Sequence, residues 1–277
     1  MMKPMSDQSL TTIRALVTRP REQAEALAEA IRSRKGQAWT LPMLEIVPTP
    51  ETQAMRDTVM SLDQFNRVIV ISRHAAHFGM ECIETFWPQL PIALDWYAIG
   101  KSTGSALEAF DVHATSPDTG SDSESLLGLE AFHRVHGDKI LIIKGEGGRE
   151  KLEQTLAARG AQVECLEVYR RQKPDYLPSH AVNVISKNDI NVILAGSGET
   201  VMNLKHCLTN GLEDQSANGR RQQPSTIILE NCLLVVPSDR IARQSRAMGF
   251  NRVYTTEGAS NAAMLSALDS INSEESS

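Results

Sequence analysis

Two distant stretches of this chain carry the same strand, turn and helix in the same order. Ala15-Leu16-Val17 runs into Thr18-Arg19-Pro20-Arg21, then a helical stretch, then Lys35-Gly36 and the segment LPMLEIVP from Leu41. Ile140 to Ile143 runs into Lys144-Gly145-Glu146-Gly147-Gly148-Arg149, then a helical stretch, then Arg159-Gly160 and the segment VECLEVYRRQ from Val163. A second matching pair, RVIVIS from Arg67 and NVILAGS from Asn191, is spaced by 191 − 67 = 124 residues. A third and looser pair sets Tyr97–Thr103 against Leu234–Arg240. Each of these is followed by a helix, a short strand and a Ser-rich loop that opens a Leu-containing helix. A duplicated α/β half predicts two similar lobes with a ligand cleft between them.

The strands read as short continuous apolar runs: Val68–Ile71, Trp96–Ile99, Ile140–Ile143, Val192–Ala195 and Leu233–Val236. Runs without polar alternation fit parallel strands buried on both faces. Between them, Ala24, Leu27, Ala28 and Ile31 form one apolar helical stripe, and Gly36 and Gly160 stand where helix C-caps are expected. The predicted fold is α/β, with two similar doubly wound parallel-sheet lobes joined by a two-stranded antiparallel ladder. The first strand–helix unit joins the C-terminal half, and the unit near Ile140 joins the middle half. Residues 11–40 plus 173–270 then form domain 1, and 48–163 form domain 2. Residues 41–47 and 164–172 cross between them as a ladder that acts as a hinge. The stretch from Glu213 to Ser225 reads as an exposed polar loop, and the first ten or so residues and 271–277 as mobile ends.

Composition narrows the function. Net charge is −6 and aromatic residues make up 5%, which argues against a nucleic-acid surface. No apolar run reaches the length of a membrane span, and the N-terminus lacks the apolar core of a signal peptide. Cys82, Cys165, Cys207 and Cys232 are scattered without CxxC spacing, so no disulfide framework or zinc knuckle is expected, and a reducing cytoplasm is the natural setting. Nothing requires more than a monomer.

In open parallel sheets, ligands sit beyond the carboxyl ends of the strands. Those ends carry Arg19, Ser72 and Arg73, Lys101 and Thr103, Lys144 to Arg149 (with Gly147 and Gly148), Ser197 and Gly198, and Ser238 and Arg240. Hydroxyls, cations and helix N-termini in combination bind anions, and their concentration in an acidic protein makes a local cationic funnel. Any one of these positions is more simply an N-cap or a solvated cation. The set as a whole favours an anion site. The KGEGGR turn has G-x-G-G rather than G-x-G-x-x-G spacing and no Walker lysine-serine pair. Backbone amides facing carboxylates fit it better than a nucleotide does.

His74 and His77 near Cys82, and His133 with His136, lack a third metal ligand and read as helix-surface residues. No GxSxG elbow or Ser–His–Asp order is present, and Glu199 and Asp239 read as helix caps. Tyr169 lies in the second crossing segment. There a phenol can donate a hydrogen bond or a proton to a leaving hydroxyl, or simply pack in the ladder against Leu44 or Ile46.

Taken in order, these residues resemble the uroporphyrinogen-III synthase family from Ala15 to Leu268. The carriers are LVTRP from Leu16, Pro42 with Glu45, Ser72-x-His74-Ala75, Ala98-Ile99-Gly100-x-x-Thr103, GxGGRE from Gly145, Arg159-Gly160-Ala161, Tyr169, Ser197-Gly198-Glu199 and LLVVPSDRIA from Leu233. Two departures are Lys144, where similar bacterial sequences often have Arg, and Ala195-Gly196 ahead of Ser197.

The resemblance implies a hydro-lyase that acts between two lobes without metal or organic cofactor. The substrate would be hydroxymethylbilane, a linear tetrapyrrole with eight carboxylates, and the product uroporphyrinogen III, with ring D inverted through a spiro intermediate. Tyr169 is then the expected catalytic residue. Arg19, Ser72, Arg73, Lys101, Thr103, Lys144, Gly147, Gly148, Arg149, Ser197, Gly198, Ser238 and Arg240 are the expected substrate-binding residues. A transient contact with hydroxymethylbilane synthase is a further expectation of the same kind. The competing class is a non-catalytic bilobal protein that binds a polyanion or tetrapyrrole and regulates. The retained tyrosine and Gly–Thr motif weigh against it. A two-lobed sugar or nucleotide transferase lacks its phosphate motifs.

Overall fold

The computed structural model describes residues 9–148, 150–177, 179–209 and 224–275. Arg149 and nearly all of the Glu213–Ser225 stretch lie outside them, as do residues 1–8, 276 and 277. In chain order the elements are β1 (Arg14–Val17), α1 (Arg21–Ser33), β2 (Gln37–Thr40), β3 (Glu45–Pro48), α2 (Gln53–Met60), β4 (Arg67–Val70), α3 (Arg73–Phe86), β5 (Asp95–Ala98), α4 (Lys101–Glu108), α5 (Ser123–Leu127), β6 (Lys139–Gly145), α6 (Lys151–Ala158), β7 (Gln162–Gln172), α7 (His180–Lys187), β8 (Val192–Leu194), α8 (Gly198–Thr209), α9 (Pro224–Asn231), β9 (Leu233–Val236), α10 (Asp239–Ala247), β10 (Val253–Thr255) and α11 (Asn261–Glu275). The chain divides into one unit of residues 1–45 with 172–277 and another of residues 46–171.

The first unit holds a parallel sheet in the order β10-β9-β8-β1-β2, and the second a mixed sheet in the order β3-β7-β6-β4-β5. The first strand–helix unit therefore does pair with the C-terminal strands, and β6 and β7 with the middle ones. An isolated parallel bridge from Tyr97 to Thr115 continues the second sheet beyond β5. It occupies the place that β10 takes beyond β9, so the strand expected at VHATSP is reduced to that bridge.

Register shows the duplication directly. Arg14 pairs with Gln37 and Lys139 with Gln162, so both pairs are 23 residues apart (37 − 14 and 162 − 139). The two copies are offset by 139 − 14 = 125 residues. Val192 sits opposite Ala15, and Arg67 opposite Ile140, so the second pair also repeats at 192 − 67 = 125. This moves the sequence alignment of RVIVIS with NVILAGS by one residue, because similarity of apolar letters does not fix strand register.

The same correction applies at the helix ends. The left-handed residue after α6 is Gly160 (φ 90°), but after α1 it is Lys35 (φ 65°). Gly36 and Ala161 are the next residues, donating to Ile31 and Leu156 carbonyls at 3.1 Å each, which closes both helices by the Schellman arrangement. Gly36 has a different necessity: a Cβ there would lie 2.7 Å from Ile31 Cγ2 and 3.2 Å from Leu10 Cβ.

Both sheets are covered on both faces. Leu16, Ile193 and Leu234 enter one core of the first unit, while Ala15, Val17, Val192, Leu194 and Val235 enter the other, with the α1 stripe of Ala24, Leu27, Ala28 and Ile31. In the second unit, Val68, Val70, Leu141 and Ile143 face one core and Ile69, Tyr97, Ile140 and Ile142 the other. Alternate residues point to opposite faces, so a strand buried on both sides must be apolar throughout.

The crossing segments and chain ends differ from expectation. Leu41 and Met43 are not strand; their amides donate to Val17 and Thr18 carbonyls at 2.9 Å, and both side chains are buried in the first unit's core. Residues 164–172 belong to β7, a full strand of the second sheet with β3 at its edge. Residues 271–275, expected as the start of a mobile tail, continue α11. Ile271 is buried against Leu268 and Leu27 in one core, and Asn272 donates to the Ser9 carbonyl at 3.1 Å. Leu10, expected near a mobile start, is wholly buried. In each case an apolar side chain finds core, and burial outweighs chain-end entropy.

Candidate active site

The second unit gathers Tyr169, Ser72, Lys144, Gly147 and Gly148 around the end of β6. A register shift between Lys144 and Gly145 places Gly145, rather than the next pair in sequence, opposite Tyr169. Bulges of this kind re-aim side chains. The Tyr169 ring lies over Gly145, where a Cβ would come within 2.5 Å of it. His74 and Phe78 flank it at ring-centroid distances of 5.8 and 6.2 Å. The Tyr169 carbonyl accepts the Glu146 N–H at 2.7 Å. Tyr169 is 6% exposed, and its Oη lies 3.1 Å from Ser72 Oγ. Ser72 is the N-cap of α3 and accepts the Ala75 N–H at 3.0 Å. Tyr169 packs in the core that includes Ile46 and keeps its polar end on the Ser72 hydroxyl.

Lys144 is buried. Its Nζ lies 3.7 Å from Glu167 Oε1, and the same oxygen accepts the Gly147 N–H at 3.2 Å. The amide-to-carboxylate contact expected of this turn is therefore made, with the protein's own carboxylate. Glu167 is not among the residues at the strand ends, and so escapes the sequence reading. The 23-residue register of the repeat contains it, since 144 + 23 = 167. Beside Lys144 a cavity of about 250 Å³ is lined by Ile71, Ile99, Ile142, Leu152, Glu153 and Cys165, among others. Burial first, and then Glu153, push the Cys165 thiol up to about 11. It stays protonated and donates to Glu153 Oε2 at 3.4 Å, so it is no nucleophile. Arg73 and Lys101 are exposed on the first turns of α3 and α4, and Thr103 is buried in the first turn of α4. Among the described residues neither cation has a contact that draws it toward Tyr169. His74, read from the sequence as a helix-surface residue, instead sets its ring beside Tyr169; its i+2 spacing from Ser72 does not reveal that contact with β7.

In the first unit the equivalent of Lys144 is Arg19 (144 − 125). It is likewise buried, at 8% exposure, and burial lowers its pKa. Its Nη1 donates to Asn261 Oδ1 and its Nη2 to the Ala259 carbonyl, both at 2.6 Å. Both cations expected to await a ligand carboxylate are thus already held by protein acceptors, as burial of a charge requires. Ser197, the equivalent of Ser72, accepts the Thr200 N–H at 3.2 Å. Ser238 caps α10 through the Ile241 N–H at 3.5 Å. Gly198 lies against Gln244, where a Cβ would meet Oε1 at 3.1 Å. Exposed Arg240 donates to the same oxygen at 3.3 Å. Ser197 and Ser238 follow the adjacent strands β8 and β9, so the sheet brings two helix N-termini side by side.

Among the described residues no group of three or more His, Cys, Asp and Glu could hold a metal ion, and no helix is long and apolar enough to cross a membrane.

The family model described as uroporphyrinogen-III synthase HemD matches residues 25–266. The uroporphyrinogen-III synthase of Salmonella typhimurium is 30% identical over 256 residues, covering 91% of this chain and 98% of the relative. That of Escherichia coli is 29% identical over 257 residues with the same coverage. Among solved structures, the chain resembles a mutant uroporphyrinogen III synthase of Thermus thermophilus, with a TM-score of 0.53 and 17% identity over 95% of this chain and 99% of that one. It also resembles the uroporphyrinogen-III synthetase of Helicobacter pylori, with a TM-score of 0.56 and 13% identity over 94% and 99%. At those identities the structural likeness concerns the fold.

Proposed function

Because the chain belongs to the uroporphyrinogen-III synthase family, we propose that it is a hydro-lyase of tetrapyrrole biosynthesis that closes hydroxymethylbilane to uroporphyrinogen III, with Tyr169 as the acid. The observation that carries the role of Tyr169 is its setting: a phenol fixed over Gly145, with its Oη 3.1 Å from the capping hydroxyl of α3.

The bilane closes unaided to the uninverted isomer, so the enzyme must win by conformation and by speed. Its substrate is a flexible polyanion, while the protein carries a net charge of −6. Attraction must therefore be local. The helix N-termini at Ser197 and Ser238 and the exposed amide of Gly148 suit carboxylates, as do exposed Arg73, Lys101 and Arg240. Arg19 and Lys144 each face a protein acceptor already and contribute positive charge rather than a first contact. Transfer of the Tyr169 proton to the ring A hydroxymethyl oxygen lets the C–O bond break with its electron pair leaving on water. The pyrrole nitrogen supplies the electrons of the new exocyclic double bond, and its N–H proton can restore the phenol. Attack on the resulting azafulvene by the substituted carbon of ring D gives the spiro intermediate from which ring D is rebuilt inverted.

A coupled assay from porphobilinogen with hydroxymethylbilane synthase, with separation of the isomers, tests this. The wild-type chain should yield uroporphyrinogen III, and Tyr169→Phe should form it roughly 100-fold more slowly, the lower end of one acid–base contribution. Uroporphyrinogen I alone from the wild type would refute the activity. An undiminished Tyr169→Phe would remove Tyr169 from it.

A further inference from the structure

We infer that Ser72 is a positioning residue that donates to the Tyr169 oxygen and so frees the phenol proton for the reaction; this rests on the reading of Tyr169 as the acid. Ser72 Oγ has a fixed orientation, because it sits in extended backbone (φ −164°, ψ 162°) and accepts the Ala75 N–H at 3.0 Å as the cap of the 14-residue helix α3. With one lone pair used, the remaining hydroxyl capacity faces Tyr169 Oη at 3.1 Å. If the phenol donated to Ser72, its proton would point into the protein. With Ser72 as donor, that proton points outward. Once the proton has left, the phenolate receives a hydrogen bond from a hydroxyl polarised by a backbone N–H at the positive end of a helix. The ring cannot drift from this contact, since Gly145 lies beneath it and His74 and Phe78 flank it.

The duplication supplies an internal control. Ser197 stands at the position equivalent to Ser72 (72 + 125 = 197) and also caps its helix, through the Thr200 N–H at 3.2 Å. Among the described residues, the hydrogen bonds of Ser197 run to Thr200 and not to a phenol. The fold therefore needs a capping serine at this point in both units, but no phenol. The phenol is an addition in one unit, and it is placed on the cap.

The experiment separates capping from positioning. Aspartate caps a helix as well as serine does, but an ionised carboxylate can only accept from the phenol. Ser72→Asp should fold with an unchanged melting temperature, yet lose at least tenfold in kcat for uroporphyrinogen III, whatever its added charge does to KM. Ser72→Thr, which keeps the hydroxyl, should stay within about threefold of wild type. In the Tyr169→Phe background, Ser72→Asp should cost no more than a further twofold, because the group it positions is gone. The inference is overturned if Ser72→Asp is as active as Ser72→Thr, if its loss appears in KM alone, as for a carboxylate anchor, or if the full loss persists in the Tyr169→Phe background. Those results leave the acid role of Tyr169 standing. An undiminished Tyr169→Phe removes both.

Discussion

The Lys144 ammonium and the Gly147 amide converge on one oxygen of Glu167, at 3.7 and 3.2 Å. The two charged partners are unequally buried: the Lys144 side chain is 9% exposed and that of Glu167 is 42%. Breaking the pair therefore has a direction. Glu167→Gln leaves a buried ammonium without its counter-charge and should destabilise the protein by about 1–2 kcal/mol, the buried-pair cost reduced for solvent at the carboxylate. Lys144→Met removes the buried charge, leaves the carboxylate in water, and should stay within about 1 kcal/mol of wild type. Urea unfolding of the two variants checks the order; a more stable Glu167→Gln would show that solvent, rather than Glu167, compensates Lys144.

Arg19 makes a different forecast. Its fork spans Asn261 Oδ1 and the Ala259 carbonyl, holding the approach to α11 against the end of β1. A lysine has one donor centre and cannot span both acceptors. Arg19→Lys should cost about 1–2 kcal/mol, while KM for the bilane changes less than about threefold. A large rise in KM with unchanged stability would instead make Arg19 a direct carboxylate ligand.

Alkaline pH should unfold the protein partly through Cys232. This side chain is 5% exposed, and its Sγ donates to the Ile190 carbonyl at 3.2 Å. Burial pushes its pKa up to about 11, against a lesser lowering by Arg252. The folded state therefore keeps a proton that the unfolded chain gives up near pH 9. The contribution is complete below about pH 9 and lost as pH rises toward about 11, by up to about 2 kcal/mol. The fall in stability between about pH 9 and 11 should be shallower in Cys232→Ala than in wild type, measured by urea unfolding at each pH. Equal slopes would mean that the thiol is not held protonated.

The alternation of apolar runs with helical stripes is enough, from the sequence, to foresee two doubly wound lobes and to assign β1 with β8 and β6 with β4, because strands buried on both faces must be apolar throughout and a repeat must fold alike twice. The Ser caps at 72 and 238 are legible for a similar local reason: a serine before a helix satisfies its first amides. What distant packing controls is not legible. Only the sheet register makes the repeat 125 residues rather than 124 and brings Glu167 to Lys144, and only the closure of α1 puts the left-handed turn on Lys35. Only the bulge at Gly145 lays the Tyr169 ring on that glycine with its hydroxyl at Ser72. Local preferences follow from neighbouring residues; which distant side chains meet depends on pairing and burial that no short stretch encodes.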